Sequence, residues 1–390
     1  MRGKLIYVTS SFPFGKGESF IHPEVKAWIR REVDISIIPV YPRGDLIKQC
    51  EDVSYFCGPL INFSYFLSFI KLCLTRPIVV FRIMRFLTGS PSKFFKNLGV
   101  FPKAAFYSLK LSDQRVFHIH AHWGGVSSTF AYMLSELTGA PWSITCHRWD
   151  IYENNLLEVK SKSANFVRFI SKKGQVDAVK LGVPATKSVV IGMGVENVSR
   201  SVNALVCSKP KIVCAANMLP VKGHRYLIGA AAIMKQFGID FSVDFYGEGE
   251  SLESLKYFAR EKKVSDIVHF KGYLPHSSLL NMYSKGDVHI FVLPSIDLGE
   301  GLHEGVPVAL MEAMSYGIPV VSTKTGSIGE LIPDSLGLTV DAADSEQLAE
   351  VIMRLINDHD FYKKSSDALF SIISDAWLVE DSVAKMHHLL

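Results

Sequence analysis

The chain has 390 residues, 48% of them apolar and 21% charged, with a formal net charge of +4, a balance that excludes a disordered or fibrous protein. Its length fits two domains of about 100 to 200 residues each, with a cleft between them. The cysteines Cys50, Cys57, Cys73, Cys146, Cys207 and Cys214 lie far apart without metal or redox spacing, which excludes a disulfide scaffold and predicts free thiols in a reducing cytosol.

In chain order, "KLIYVTS" from Lys4 is the first predicted strand, and its apolar run is too short for a signal peptide. Gly15, Lys16 and Gly17 form a loop after it that suits donor phosphates or an acceptor, and "VDISIIPV" is the second strand. Between Asp52 and Asp113 there is no acidic residue, while Lys71, Arg76, Arg82, Arg85, Lys93, Lys96, Lys103 and Lys110 all fall there. The longest uncharged stretch, Ser54 to Ile70, holds Gly58, Pro59 and Asn62, so the ~20 apolar residues of a spanning helix are not available. Residues 54–112 therefore read as a basic, aromatic-rich helical insertion lying on an anionic bilayer surface, each surface-adjacent cation contributing about 1 kcal/mol. The competing reading is a helical layer packed on its own domain. Aliphatic rather than stacking residues between the cations argue against nucleic acid. The strands "FHIHAHW", "WSITCH", "FVRFIS" and "SVVIGMG" complete the first half.

The second half alternates more cleanly. "KIVCAAN", "FSVDFYG", "IVHFKG", "VHIFVLPS" and "IPVVST" read as strands, and His224 to Phe237, Leu252 to Lys263, Ser277 to Lys285 and Pro307 to Tyr316 as helices. Such alternation predicts an α/β protein with parallel sheets covered on both faces. The join is placed near Gly194 to Ser208, where periodicity lapses.

Chemistry concentrates in "EGVPVALMEAM". Gly305 and Pro307 predict a helix start near Val306, which puts Glu304 in the entering loop and Glu312 on the helix. Free N–H groups from Val306 to Ala309, Val308 included, would form an anion site suited to a diphosphate, with carboxylates on either side to accept hydrogen bonds from hydroxyls. Two such glutamates alone would ordinarily be a solvated helix face. The surrounding "LPSIDLGEGLHEGVPVALMEAMSYGIPVVSTKTGSIGELI" changes that weighting.

That segment resembles the retaining glycosyltransferases of family 4, whose GT-B fold has two facing Rossmann-like domains with parallel sheets. The resemblance covers almost the whole chain. "VKGHRYLIGAA" resembles their lysine-glycine phosphate site, "FYGEGESLESL" their strand and glycine turn, and "FKGYLPHSSLLNMYSKGDVHIFVLPS" their base-binding stretch. In the first half, "FPFGKGESFIHPEV", "HIHAHWGG" and "SITCHRWDIY" resemble the subset that assembles extracellular and lipid-linked polysaccharides. The implied organisation is an acceptor-binding domain over 1–196, a nucleotide-sugar domain over 197–370, and a helix over 371–390 returning to the first.

Residue by residue, the resemblance gives Lys222 to the donor diphosphate, Glu304 to sugar hydroxyls and Glu312 to the ribose. It gives His147 to the side of the donor sugar near the reacting carbon. Gly17, Gly247, Gly305, Val306 and Pro307 belong to donor-side loops, and Tyr273 and Leu274 flank the base. Glu18, His122 and Asp150 are acceptor-side candidates; Asp150 could instead orient His147, and His120 and His122 lack the third ligand of a metal site. The family's usual arginine five residues before the lysine is Asn217 here, so Arg225 or His224 must substitute or the site works with less charge. The implied activity is transfer from a UDP- or GDP-sugar to a hydroxyl of a lipid-linked or membrane-bound saccharide, with no metal or other cofactor, at the inner face of the cytoplasmic membrane. Rival readings are a sugar-nucleotide epimerase on the same fold and a non-catalytic membrane-associated partner.

Overall fold

In the first strand, β1 (Lys4–Thr9), every residue after Lys4 is buried, the mark of a parallel strand covered on both faces. In the computed structural model, residues 3–390 are described except 16, 48–49, 51–52, 60, 90, 197 and 201–208. Lys16, Cys207 and much of the expected join thus lie outside the described residues. The other strands of the first sheet are β2 (Asp34–Pro39), β3 (Val116–Ala121), β4 (Trp142–Cys146), β5 (Val167–Phe169) and β6 (Ser188–Val190). They run parallel in the order β2-β1-β3-β4-β5-β6.

Helix α1 (His22–Arg30) joins β1 to β2. Four helices, α2 (Phe63–Thr75), α3 (Pro77–Leu87), α4 (Phe94–Leu98) and α5 (Phe101–Lys110), lie between β2 and β3. After them come α6 (Val126–Thr138), α7 (Arg148–Glu153), α8 (Leu157–Ser163) and α9 (Lys172–Lys180). The second sheet comprises β7 (Lys211–Ala215), β8 (Ser242–Tyr246), β9 (Val268–Gly272), β10 (Ile290–Leu293), β11 (Val320–Thr323) and β12 (Thr339–Val340), parallel in the order β12-β11-β10-β7-β8-β9. Its helices are α10 (His224–Gln236), α11 (Leu252–Glu261), α12 (His276–Lys285), α13 (Val308–Ser315), α14 (Ile328–Leu331), α15 (Ser345–Asn357), α16 (His359–Ala376) and α17 (Val379–His387), the last running out of the second unit.

Two compact units result, Met1–Gly192 with Ser382–Leu390, and Met193–Asp381. These limits differ from 196/197 and 370/371 for a local reason: Val195 pairs with Leu378, donating its N–H to Trp377 O at 2.9 Å and accepting from Val379 N at 3.0 Å. The chain ends in the first unit, where Met386 Sδ lies 2.9 Å from Arg168 and His387 packs edge-on against Trp28.

Each sheet has one place where strand order reverses, between β1 and β3 in the first and between β7 and β10 in the second. Loops leaving the carboxyl ends of strands splay apart there and open a crevice for ligands.

The 54–112 insertion is helical, but its charge is disposed otherwise than expected. Lys103 is fully buried and donates to the carbonyls of Pro39, Val40 and Gly58 at 2.9, 2.8 and 3.1 Å, and burial pushes its pKa down to about 8. Arg76 caps Leu137 O at 2.8 Å, Arg82 pairs with Glu136 at 2.9 Å, Lys96 pairs with Glu153 at 2.8 Å, and Lys93 donates to Glu153 O. These cations serve the packing of the layer on α6 and α7, because a helix covering its own domain offers them carbonyls and acids to satisfy. Most of what α2 turns outward is apolar: Phe63, Phe66, Leu67, Ile70 and Leu74 are exposed on one helical stripe, with Lys71 and Thr75 exposed beside it. Among the described residues, no helix is long and apolar enough to cross a membrane.

Candidate active site

At the reversal point of the second sheet, the loop after β7 carries Lys222 and the loop after β10 carries Glu304. Their side chains meet, Lys222 Nζ to Glu304 Oε1 at 2.5 Å. Ser295, just past β10 and fully buried, donates to the same oxygen at 3.0 Å.

Two glycines make this approach feasible. Gly223 sits at φ +65° with the space for a Cβ only 1.8 Å from Pro294 O, and Gly326, at φ +57°, lies equally close to Glu304 O, at 1.9 Å. Any side chain at either would push the β7 and β11 loops off the Glu304 loop. His303 Nδ1 lies 2.7 Å from Glu304 O and fixes the loop further.

Helix α13 starts at Val308, two residues later than the expected start near Val306. Pro307 adopts ψ 117°, extended, and serves as its N-cap. The first amide to bond back is Leu310 N, to Pro307 O at 3.1 Å. The unpaired donors of the first turn are therefore Val308 and Ala309, while Val306 is buried and Gly305 belongs to the entering loop. A positive helix end and the Lys222 ammonium thus lie on the segments that flank Glu304.

Glu312 is on α13 as expected, and its Oε1 takes the imidazole of His276 at 2.6 Å. The bond to Glu312 raises the His276 pKa against the effect of burial. His276 opens α12 three residues after Tyr273, which is 44% exposed just past β9, and Leu274 is half-buried beside it. Gly247, at φ +137°, lets the end of β8 touch Ala216 O, where a Cβ would sit 2.1 Å away.

Asn217 is exposed at the start of the loop after β7. Neither proposed substitute replaces the missing arginine. Burial and the neighbouring Lys222 push His224 down to about 4, so it is neutral, and the Arg225 guanidinium stacks 4.2 Å from the ring of Phe258.

The first unit brings His122, His147 and Asp150 together at its own reversal point. His122 Nε2 and His147 Nε2 are 3.1 Å apart. Asp150 Oδ2 accepts the backbone N–H of His147 at 2.9 Å, and its Oδ1 accepts that of Gly125 at 3.1 Å. The Asp150 carboxylate thus holds the main chain at His147, while the Asp150 backbone faces the His147 side chain in the capping box of α7, and burial raises the Asp150 pKa to about 7. Lys160, likewise buried, anchors the same loop by donating to Gly124 O at 3.0 Å and Gly125 O at 2.7 Å.

Glu18 is buried and accepts the N–H groups of Ser11 and Phe12 at 2.7 and 2.6 Å. Burial raises its pKa while those amides lower it. It shapes the loop after β1, which leaves little of the carboxylate for an acceptor. In that loop Gly15 is at φ +75° against Arg43 O, whereas a Cβ on Gly17 would meet nothing within 4 Å. Gly17→Ala is accordingly expected to change stability by no more than about 0.5 kcal/mol, and Gly223→Ala to cost about 1–3 kcal/mol, with donor affinity lost only in the latter; thermal melts with and without nucleotide check both.

Sequence reasoning passed over Ser295, His276, Tyr7, Glu24 and Arg168. Arg168 left a signal, a lone cation inside the apolar strand "FVRFIS", which burial obliges to find an anion. Among the described residues, no group of three or more His, Cys, Asp or Glu is placed to hold a metal ion.

Residues 196–368 match the family model for glycosyl transferases group 1. The chain is 27% identical over 378 residues to the amylovoran biosynthesis glycosyltransferase AmsK of Erwinia amylovora, covering 90% of each. A shorter stretch of 150 residues, 38% of each chain, is 30% identical to a GDP-mannose-dependent monoacylated alpha-(1-6)-phosphatidylinositol monomannoside mannosyltransferase of Corynebacterium glutamicum. Among solved structures, Anabaena HepE in complex with UDP superposes with a TM-score of 0.74 at 15% identity, over 99% of this chain and 98% of that one. The fold is the GT-B arrangement of two Rossmann-like domains that the resemblance implied. Residues 196–368 are a group 1 glycosyl transferase domain, and the chain is a glycosyltransferase.

Proposed function

We propose that the protein is a retaining, family 4 glycosyltransferase of bacterial surface polysaccharide assembly. It moves a sugar from a UDP- or GDP-sugar to a hydroxyl of a lipid-linked or membrane-bound saccharide, without a bound metal. The observation that carries this reading is the Lys222–Glu304 pair at the reversal point of the second sheet. Support for the acceptor class comes from the exopolysaccharide relative, similar over its length, and from the lipid-linked substrate named for the mannosyltransferase. The UDP held by HepE and the GDP-mannose of the same mannosyltransferase bracket the donor.

In this mechanism the donor diphosphate engages Lys222 and the Val308 and Ala309 amides. Glu304, drawn off the ammonium, turns to vicinal hydroxyls of the sugar, for which an acceptor-only carboxylate is suited. Glu312 and His276 address the ribose, and Tyr273 and Leu274 the base. As the sugar–phosphate bond breaks, negative charge grows on the leaving oxygen, where a fixed cation and helix end are most effective. The acceptor oxygen forms the new glycosidic bond on the same face, and its proton passes to the departing phosphate. His147 contacts a saccharide hydroxyl in that step.

A thermal-stabilisation screen of sugar nucleotides, followed by transfer to a lipid-linked saccharide, tests the reading. A true donor at a hundredfold excess over its Kd raises apparent stability by about 2.7 kcal/mol, and the product's anomeric coupling should match that of the donor. Inversion of the anomeric centre, or isomerised donor released without acceptor, would overturn it.

For membrane attachment we propose the apolar stripe of α2 with Ile78 and Phe81 of α3, flanked by Lys71 and Arg85, which are exposed. Apolar area supplies the main term here and charge the smaller one, because so many cations of this layer are engaged within it. Phe66→Glu with Leu67→Glu should release the protein from vesicles containing anionic lipid, and Lys71→Glu with Arg85→Glu should weaken sedimentation by about tenfold or more at low salt, near 1 kcal/mol per charge removed. Unchanged sedimentation of the first pair would refute the attachment.

A further inference from the structure

The carboxyl ends of β1, β3, β4 and β5, with α1, bring five side chains into one hydrogen-bonded chain. Arg168 Nη1 donates to Glu24 Oε2 at 2.7 Å, and Tyr7 Oη donates to Glu24 Oε1 at 2.5 Å. Tyr7 Oη also lies 2.6 Å from His122 Nδ1, and His122 Nε2 lies 3.1 Å from His147 Nε2. Arg168, Glu24, Tyr7 and His122 are at most 1% exposed. The far end is anchored, since Arg168 also donates to Ile191 O at 2.9 Å and Gly192 O at 2.8 Å.

Proton counting fixes every position along it. Arginine does not deprotonate in proteins, so Glu24 beside it is ionised and accepts only. Tyrosine has one hydroxyl proton, and Tyr7 gives it to Glu24. Tyr7 Oη can therefore only accept from the histidine, so His122 carries its proton on Nδ1. Burial pushes both His122 and His147 well below the ordinary imidazole value, so both rings are neutral. A neutral ring has one N–H; His122 Nε2 is thus a bare acceptor, and the proton in the bond between the two rings belongs to His147 Nε2. His147 is left with an unprotonated Nδ1 in the capping box that opens α7, beside the Asp150 N–H, whose own hydrogen bond goes to His147 O at 3.1 Å.

We propose that the Arg168–Glu24–Tyr7–His122 chain sets the tautomer of His147, so that the ring offers an unprotonated Nδ1 to a saccharide hydroxyl. Glu24, Tyr7 and His122 are then positioning residues. This rests on the reading of His147 as a substrate-contacting group. An unprotonated Nδ1 accepts from a hydroxyl and repels a phosphate oxygen, so the chain selects what the ring can bind. The ring itself has little freedom: Trp123 and Phe20 flank it with centroids 4.5 and 5.7 Å away. Turning it over would break its bond to His122.

The test is side-chain ¹⁵N NMR of histidine-labelled full-length protein alongside transfer kinetics. In the wild type His147 should be protonated at Nε2 and bare at Nδ1. His122→Leu removes the acceptor; His147 should then populate both tautomers and kcat should fall by up to about 10²-fold, the scale of a misplaced catalytic group, with donor KM unchanged. His122→Gln, whose amide oxygen can accept from His147 Nε2–H, should restore the tautomer and recover most of the lost rate. A wild-type His147 protonated on Nδ1, or identical tautomer and rate in the Leu and Gln variants, overturns the inference. Wild-type kcat in His147→Ala together with the expected tautomer instead overturns the substrate contact and with it the positioning role, so the two failures are distinguishable.

Discussion

Lys222→Ala is expected to lower kcat by about 10²–10³-fold, the cost of removing one preorganised electrostatic group facing developing charge. The structure makes this loss hard to offset. His224 is neutral, Arg225 is engaged on Phe258, and the position of the family's usual arginine is Asn217. Glu304→Ala should be comparably damaging, for the loss of sugar orientation. Because Lys222 and Glu304 hold one donor between them, at its diphosphate and at its sugar, their effects should not add: the double variant should be little worse than the weaker single one. Lys222→Ala should melt below the wild type, because the buried Glu304 carboxylate keeps its Ser295 hydrogen bond but loses its cation, so turnover is compared at a temperature where every variant is folded. Introducing Asn217→Arg into Lys222→Ala should recover part of the rate if leaving-group charge is what was lost. Steady-state kinetics on the four proteins decides the matter, and transfer by Lys222→Ala within twofold of wild type would remove the diphosphate role.

The parts of this site that were legible in the sequence are those written within one short segment. Parallel strands buried on both faces read as unbroken apolar runs, so all six strands of the first sheet and all but β12 of the second were visible; Lys222 and Glu304 fell out of the loops between them, and Glu312 out of the helix after the Glu304 loop. The start of α13 was misjudged because a proline φ suits both N-cap and first turn; only ψ at Pro307, 117°, distinguishes them. Helix α15 was readable and overlooked, since Asp344 accepts from the amides of Glu346 and Gln347, both at 2.9 Å, as an N-cap side chain does. The cations of 54–112 could be counted but not oriented, because whether Lys103 faces lipid or the Pro39 carbonyl depends on tertiary packing. The buried chain behind His147 was least legible. Its members, Tyr7, Glu24, His122, Arg168 and His147, come from five separate segments and share no motif.

That same chain contains a fully buried ion pair, Arg168 with Glu24 at 2.7 Å. Arg168→Met should destabilise the first unit by about 3–5 kcal/mol, because it leaves the Glu24 carboxylate buried without its cation. Glu24→Leu should cost a similar amount through the stranded guanidinium, whereas the double substitution should regain most of the loss, as two apolar side chains need no solvation. The pH dependence separates these cases. Burial opposes ionisation of Glu24, but Arg168 and the Tyr7 hydroxyl outweigh it and hold the carboxyl below its ordinary value. The wild-type contribution is therefore present above the unfolded carboxylate pKa, about 4.3, and is lost as pH falls through the lower folded value. In Arg168→Met, burial acts without its main opponent and raises the folded pKa, so stability should fall as pH rises toward neutrality. Unfolding of the first unit, followed by amide exchange in β1 and β5 between about pH 2.5 and pH 8, should show stability rising with pH in the wild type below about pH 4.3 and falling with pH in Arg168→Met above it; parallel slopes would mean that the pair does not govern Glu24. The apolar double variant should fold stably yet leave Tyr7 free to donate to His122 rather than to Glu24. Regained stability without regained turnover would then assign the buried charge pair to the ring it orients instead of to the fold that could do without it.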